Sequence, residues 1–356
     1  MARRWHLVLI LMVVLTCYSF YQYLQHRVQS AQRPRKRYLE LPEAECLRLK
    51  SLILNSTIKT LDTSKFYTLI NALQRCPWKG NQTARDLKQS QFRMCCNASH
   101  ALIMTQENTE VGHSLQYDGD KKYKKNITES IFKLFPETSL FTKPIRSCAV
   151  VGNSGILRNS LCGADIDRAD FVFRLNLPPL NWTKDVGTKT DLVSANPSIL
   201  IHRYSSLMEQ RKPFINMVKA YGSALILMPA FSFSLGTEVC LRTLYSLEDF
   251  DMRNQVVFFN PRYLRNLTSY WKGCGLTFRR MSSGFMLASA AFELCEKVIL
   301  YGFWPFPEDL ERTPILYHYY DNKPPRADYH AMPDEFYQYL LMHSEGSLQL
   351  QLGQCY

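Results

Sequence analysis

Residues 148–176, CAVVGNSGILRNSLCGADIDRADFVFRLN, decide how the chain folds. A short apolar run opens at Cys148, breaks over Gly152, Asn153, Ser154 and Gly155, and resumes at Phe171, Val172 and Phe173 before closing on Arg174 and Asn176. This reads as a buried strand, a tight polar loop and a second strand. In α/β sheets the loop at the carboxyl end of a parallel strand is where nucleotides sit, because backbone N–H groups and short side chains are free there. A plain strand-to-helix turn has the same glycine spacing, so the residues around the loop must decide between the two.

Downstream, apolar runs at 171–173, 191–194, 224–229, 256–259 and 298–301 alternate with amphipathic segments and show no fixed repeat. Strands separated by helical patterns predict an α/β fold, a mostly parallel Rossmann-like sheet flanked by helices. The clearest helix is 283–296, SGFMLASAAFELCE, with apolar residues at three- and four-residue spacings, followed by a strand over 297–303. Ser282, Ser283 and Gly284 put hydroxyls and open backbone at that helix's N-terminus. Such a start suits an anion, and equally suits ordinary capping. Trp304, at the end of the strand, either stacks on a base or sugar or completes the core. His318 and His330 lie in a polar, proline-containing loop before a closing helix, and histidine is the side chain best matched to proton transfer near neutral pH.

Twenty residues at 5–24, WHLVLILMVVLTCYSFYQYL, are long and apolar enough for a membrane-spanning helix, and no small-residue cleavage site follows them. Basic residues on both sides leave the orientation open. Six N-x-S/T sequons settle it, at Asn55, Asn81, Asn97, Asn126, Asn181 and Asn266, together with ten of the eleven cysteines lying beyond the span. The expected order is a cytoplasmic tail at 1–4, a transmembrane anchor at 5–24, a stem at 25–60 and a luminal domain at 61–356. Adjacent Cys95 and Cys96, with no C-x2-C pair, argue against zinc. The formal charge of +12 fits an anionic partner. No helix carries a basic stripe with interleaved aromatics, which argues against nucleic acid.

Together these residues resemble the animal sialyltransferases, and within them the α-2,8-sialyltransferase branch. The large sialyl motif matches 148–191 and the small motif 280–303. Motif III matches His318-Tyr-Tyr-Asp321, and the very small motif matches His330 with Glu335 five positions on. The resemblance implies a variant GT-A-like sialyltransferase fold, with one catalytic domain behind a type II Golgi membrane anchor. It implies transfer of sialic acid from CMP-sialic acid to a sialylated glycan on lipid or protein, with inversion and with neither metal nor cofactor.

Carried over by position, Asn153 and Asn176 contact the donor, Ser282, Ser283 and Gly284 cradle it, and Trp304 flanks the cytidine. His318 binds or protonates the departing phosphate, and His330 is the base. The same resemblance implies disulfides Cys148–Cys295 and Cys162–Cys355, leaving Cys46, Cys76, Cys95, Cys96, Cys240 and Cys274 unassigned. Leu175 stands where the family usually has cysteine, and Ser283 where it usually has threonine. Asp165 and Asp167 imitate a D-x-D metal motif, but they fall inside the large motif and fit a surface or capping role better. Residues 127–147 hold only Lys133, Lys143 and Arg146 as bases against Glu129 and Glu137, unlike the polymerising members, so a short product is expected. Two rivals stand beside this reading: a sialyltransferase of α-2,3 or α-2,6 linkage, and an inactive luminal glycan-binding protein that keeps the fold.

Overall fold

The structure, a computed structural model, describes residues 39–55, 62–324 and 329–355, together with Met12, Val14, Thr16 and Tyr18, which are helical. The rest of the predicted anchor and all of the tail lie outside the described residues. Among the described residues no helix is long and apolar enough to cross a membrane. The chain divides into two units, Met1–Arg37 and Tyr38–Tyr356.

The larger unit opens with three helices, α1 (Glu43–Leu54), α2 (Thr63–Leu73) and α3 (Gln82–Cys95). Residues 43–54 were expected in the stem, yet α1 belongs to the body of the unit: Leu49 and Ile53 are buried and Cys46 is bonded to Cys76. Next comes an antiparallel hairpin of β1 (Ser114–Gln116) and β2 (Lys124–Asn126). These three-residue strands are too short for their alternation to register in the sequence.

The main sheet has seven strands, all paired in parallel. They are β3 (Ile145–Val151), β4 (Phe171–Arg174), β5 (Leu192–Ser194), β6 (Leu225–Met228), β7 (Val256–Phe258), β8 (Cys295–Tyr301) and β9 (Gln349–Gln351). Their order is β7-β6-β5-β4-β3-β8-β9. Val150, Val172, Phe173, Leu192, Val193, Ile226 and Leu227 are fully buried. Burial on both faces is why these strands read as unbroken apolar runs rather than alternating ones. The chain winds outward from β3 to β7 and then crosses to the other side of β3. The crevice beyond β3 and β8 is therefore the topological switch point, where open α/β sheets bind ligands.

Helices α4 (Ser234–Asp249), α5 (Pro261–Gly273), α6 (Ser283–Leu294) and α7 (Met332–Glu345) complete the frame used below. Every residue of α6 from Gly284 to Leu294 is buried, as expected for a helix that is apolar on nearly all sides. It ends two residues before the sequence pattern does. Cys295 is already extended, with φ −115° and ψ 147°, and its Cα stands opposite Ile145 in the ladder that pairs β8 with β3.

Candidate active site

At the switch point the loops after β3 and β8 touch. The amide of Gly152 donates to the Tyr301 carbonyl at 2.7 Å, and a Cβ on Gly152 would lie 2.4 Å from the Gly302 carbonyl oxygen. Only glycine lets the two backbones approach this closely. Motif III is laced to the same loop. The amide of Tyr319 donates to the Asn153 carbonyl at 2.8 Å, and Ser154 bridges to His318.

Asn153 and Asn176 occupy neighbouring strand ends. Asn153 Nδ2 donates to the Leu175 carbonyl at 2.8 Å, while its Oδ1 is buried without a hydrogen-bond partner in the protein. Asn176 adopts φ +61°, a left-handed conformation that asparagine tolerates better than most residues, and its Oδ1 accepts the Asn196 amide at 3.0 Å. Asn196 in turn accepts the Ser283 hydroxyl at 3.1 Å. The sequence reading missed Asn196, which lies outside the family motifs and joins the two halves of the expected donor site.

Ser282 is the N-cap of α6, its Oγ accepting the Phe285 amide at 3.0 Å. Glu335 holds that cap, taking the Ser282 amide at 2.7 Å and the hydroxyl at 2.5 Å. The first-turn N–H groups of Ser283 and Gly284 are ones the helix itself cannot satisfy. A Cβ on Gly284 would stand 3.1 Å from the Phe303 ring and 3.2 Å from Leu175, so Leu175 packs where glycine leaves room.

Trp304, expected to flank the cytidine, is packed into the core at the end of β8. It is buried, its indole N–H donates to the Glu308 carbonyl at 2.6 Å, and Phe66, Tyr67, Phe306 and Phe336 surround its ring. The aromatic beside Gly152 and Gly284 is its neighbour Phe303, one residue earlier at the strand end.

The two histidines are held differently. His318 Nδ1 lies 2.7 Å from Asp321 Oδ1, and its ring stacks on Tyr320 with centroids 5.0 Å apart. His330 Nδ1 lies 2.9 Å from the Arg280 carbonyl oxygen. A carbonyl can only accept, so the proton sits on Nδ1 and Nε2 keeps a lone pair. Burial pushes the His330 imidazole below its ordinary range, with the nearby Arg280 guanidinium adding to the effect. The ring is therefore neutral near pH 7, as a base must be. Burial pushes Glu335 the other way, up to about 7.

The D-x-D pair is engaged within the protein. Asp167 accepts the amides of Thr188 and Lys189 at 2.9 Å, and Asp165 pairs with Arg168. Among the described residues no three His, Cys, Asp or Glu side chains converge as metal ligands would. Disulfides join Cys148 to Cys295, tying β3 to the end of α6, and Cys162 to Cys355. Two pairs that the sequence left unassigned are also bonded, Cys46–Cys76 and the adjacent Cys95–Cys96. Cys240 is free and buried, Cys274 free and exposed. Of the sequons, Asn55, Asn81, Asn97, Asn126 and Asn181 are exposed, whereas Asn266 is half-buried within α5.

This geometry can be set beside known proteins. The chain is 44% identical over 304 residues to alpha-2,8-sialyltransferase 8F of Mus musculus, covering 85% of this chain and 76% of that one. It is 46% identical over 284 residues to an alpha-N-acetylneuraminide alpha-2,8-sialyltransferase of Bos taurus, covering 79% of this chain and 80% of the relative. The crystal structure of a mammalian sialyltransferase shares the fold with a TM-score of 0.53 at 20% identity, over 75% of this chain and 95% of that one. The description of glycosyltransferase family 29 (sialyltransferase) matches residues 103–347, which span the crevice, both histidines and Glu335, and the chain belongs to that family.

Proposed function

We propose that the chain is an α-2,8-sialyltransferase, moving sialic acid from CMP-sialic acid to the terminal sialic acid of a glycan on lipid or protein, with inversion and without a metal. The observation that carries this reading is a helix N-terminus packed against the strand ends at the switch point, accompanied by two histidines held by opposite kinds of partner. His318 sits against a carboxylate, which can balance the charge of a ring that meets a phosphate. His330 sits against a carbonyl and is neutral.

In the reaction the acceptor hydroxyl oxygen forms a bond to the anomeric carbon of the donor while the bond from that carbon to the phosphate oxygen breaks. The hydroxyl proton passes to His330 Nε2, and CMP departs toward His318. Asn153, Asn176 and the first turn of α6 hold the donor. The relatives named as alpha-2,8-sialyltransferases support the linkage. For the cellular setting, the reading is a Golgi type II protein anchored by residues 5–24, with a stem behind the anchor and the catalytic domain in the lumen. Five exposed sequons and four disulfides support a luminal, oxidising environment.

The test is incubation of the protein with CMP-sialic acid, EDTA and a sialylated acceptor, followed by linkage analysis of the product. An α-2,8 product carrying few added residues is expected. An α-2,3 or α-2,6 product would overturn the linkage, loss of activity in EDTA the metal independence, and CMP binding without transfer the enzyme reading.

A further inference from the structure

His330 is fixed through a backbone carbonyl, so whatever fixes that carbonyl also fixes the base. The carbonyl belongs to Arg280, whose side chain is locked. Its Nη1 donates to Asp118 Oδ2 at 2.9 Å and its Nη2 approaches Ser232 Oγ at 2.9 Å, while Ser232 Oγ donates to Asp118 Oδ1 at 2.6 Å. The three residues close a ring of polar contacts, with the guanidinium 4.9 Å above the Phe233 ring. Both charged side chains are largely withdrawn from water, Arg280 at 15% exposure and Asp118 at 6%. At that depth an ion pair is screened far less than one at the surface.

The chain is shaped to admit this cluster. The Asp118 and Gly119 amides donate to the Phe231 and Ser232 carbonyls at 3.3 and 2.9 Å. A Cβ on Gly119 would lie 2.5 Å from the Phe233 ring and 2.9 Å from Arg280 Nη1, closer than real side chains approach. Asp118 lies in the β1–β2 hairpin, outside every sialyl motif of the chain.

We propose that Asp118 is a positioning residue for the transfer step: through its ion pair with Arg280 it fixes the carbonyl that orients His330, so the β1–β2 hairpin holds the base. This rests on His330 being the base. Among the described residues, Arg280 is the charged group that acts on the His330 ring, while Arg279 lies over the Tyr329 ring that packs edge-on against His330, and Asp334 and Glu335 follow at the start of α7. The Arg280 guanidinium is the cation that acts on the ring, and Asp118 is its counter-ion.

Asp118→Asn keeps the shape and removes the charge, whereas Arg280→Gln removes the cation. In the full-length protein both should lower kcat on the order of tenfold to a hundredfold, the usual cost of loosening a reacting group, and leave the KM for CMP-sialic acid within about twofold. The acid limb of kcat/KM should move in opposite directions. It should go to lower pH in Asp118→Asn, where Arg280 faces the base unopposed, and to higher pH in Arg280→Gln. A purely structural role would lower activity without moving the limb.

The proposal is overturned if kcat stays within about twofold of wild type, or falls while both limbs keep the wild-type position. Calorimetric CMP binding reports whether each variant is folded. Should either fail to bind, Ser232→Ala, which removes one hydroxyl from the ring, decides the matter: a wild-type kcat there overturns the proposal, and a reduced kcat with a displaced acid limb sustains it. Failure of the base assignment shows up separately, as full activity in His330→Ala.

Discussion

Glu335 takes both hydrogen bonds that Ser282 can donate, the amide at 2.7 Å on one carboxylate oxygen and the hydroxyl at 2.5 Å on the other. This links the last motif of the chain to the first residue of the proposed donor cradle. The carboxyl lies five residues past His330 on α7, so the base and the brace of the N-cap are carried by one segment. A displacement of the start of α7 would move both.

Replacing Glu335 with glutamine leaves one acceptor where two donors converge, and the Ser282 hydroxyl already accepts from Phe285. Glu335→Gln should therefore raise the KM for CMP-sialic acid on the order of tenfold with a smaller change in kcat, since the loss falls on the donor cradle. Glu335→Ala strands both donors and should cost about 1–3 kcal/mol of stability in addition. Calorimetric titration with CMP and thermal unfolding check the two parts; unchanged CMP affinity in both variants would refute the bracing role.

With His330 as the proposed base, its protonation sets the acid limb of the reaction. Burial depresses its pKa, outweighing the hydrogen bond to the Arg280 carbonyl that favours the charged ring, so as pH falls the ring stays neutral to a lower pH than an ordinary histidine. The kcat/KM of the wild type should fall below a midpoint under about 6.5, the unperturbed histidine value, and His330→Ala should lose on the order of a hundredfold to ten-thousandfold of the rate. A midpoint above that value would contradict the burial seen here.

Much of this was legible in the sequence for a physical reason. Strands buried on both faces leave continuous apolar runs, so 148–151, 171–173 and 298–301 announced a parallel sheet before any coordinates. His318 and His330 stood out through their motifs. An aromatic at a strand end faces either the core or the crevice, and the sequence alone did not separate these for Trp304, which the fold buries, and Phe303, which lies beside Gly152 and Gly284. Asn196 and Asp118 left no local signal at all. They act through pairings across the fold, with Ser283 some 87 residues away and Arg280 some 162 away. Cysteine pairing was open for a similar reason, since connectivity is a property of the folded chain.

The disulfide Cys162–Cys355 spans 193 residues and holds the C-terminus beside the loop after β3, where the Cys355 amide also donates to the Ser160 carbonyl at 2.8 Å. In the chain-entropy account a loop of this length stabilises by about 5 kcal/mol, so Cys162→Ser with Cys355→Ser should lower the unfolding temperature steeply and make activity heat-labile. Without reductant, iodoacetamide should label Cys274 and spare Cys240, which is buried and whose thiol burial holds well above its ordinary range. Mass spectrometry of peptides from native and unfolded protein reads both outcomes, and labelling of Cys162 or Cys355 in the native protein would refute the pairing.

Glu293 offers a test of stability alone. Its Oε1 accepts the Ala98 amide at 2.5 Å, but Oε2 is buried without a partner, as is the Tyr263 hydroxyl, and burial raises the carboxyl pKa to about 7. A carboxyl whose folded pKa lies above its unfolded value binds more protons when folded. Stability due to this group is therefore greatest below the unfolded pKa of 4.5 and declines as pH rises toward about 7. Glutamine keeps an acceptor for Ala98, cannot ionise and adds an N–H that the Tyr263 oxygen can receive. Glu293→Gln should then unfold at a higher temperature than wild type at pH 7.5, by an amount worth on the order of 1–3 kcal/mol, with the difference disappearing near pH 4.5. His343, which burial depresses to about 4, titrates in the same range but is common to both proteins and cancels in the comparison. A constant difference across the whole range would mean that Glu293 does not change its protonation on folding.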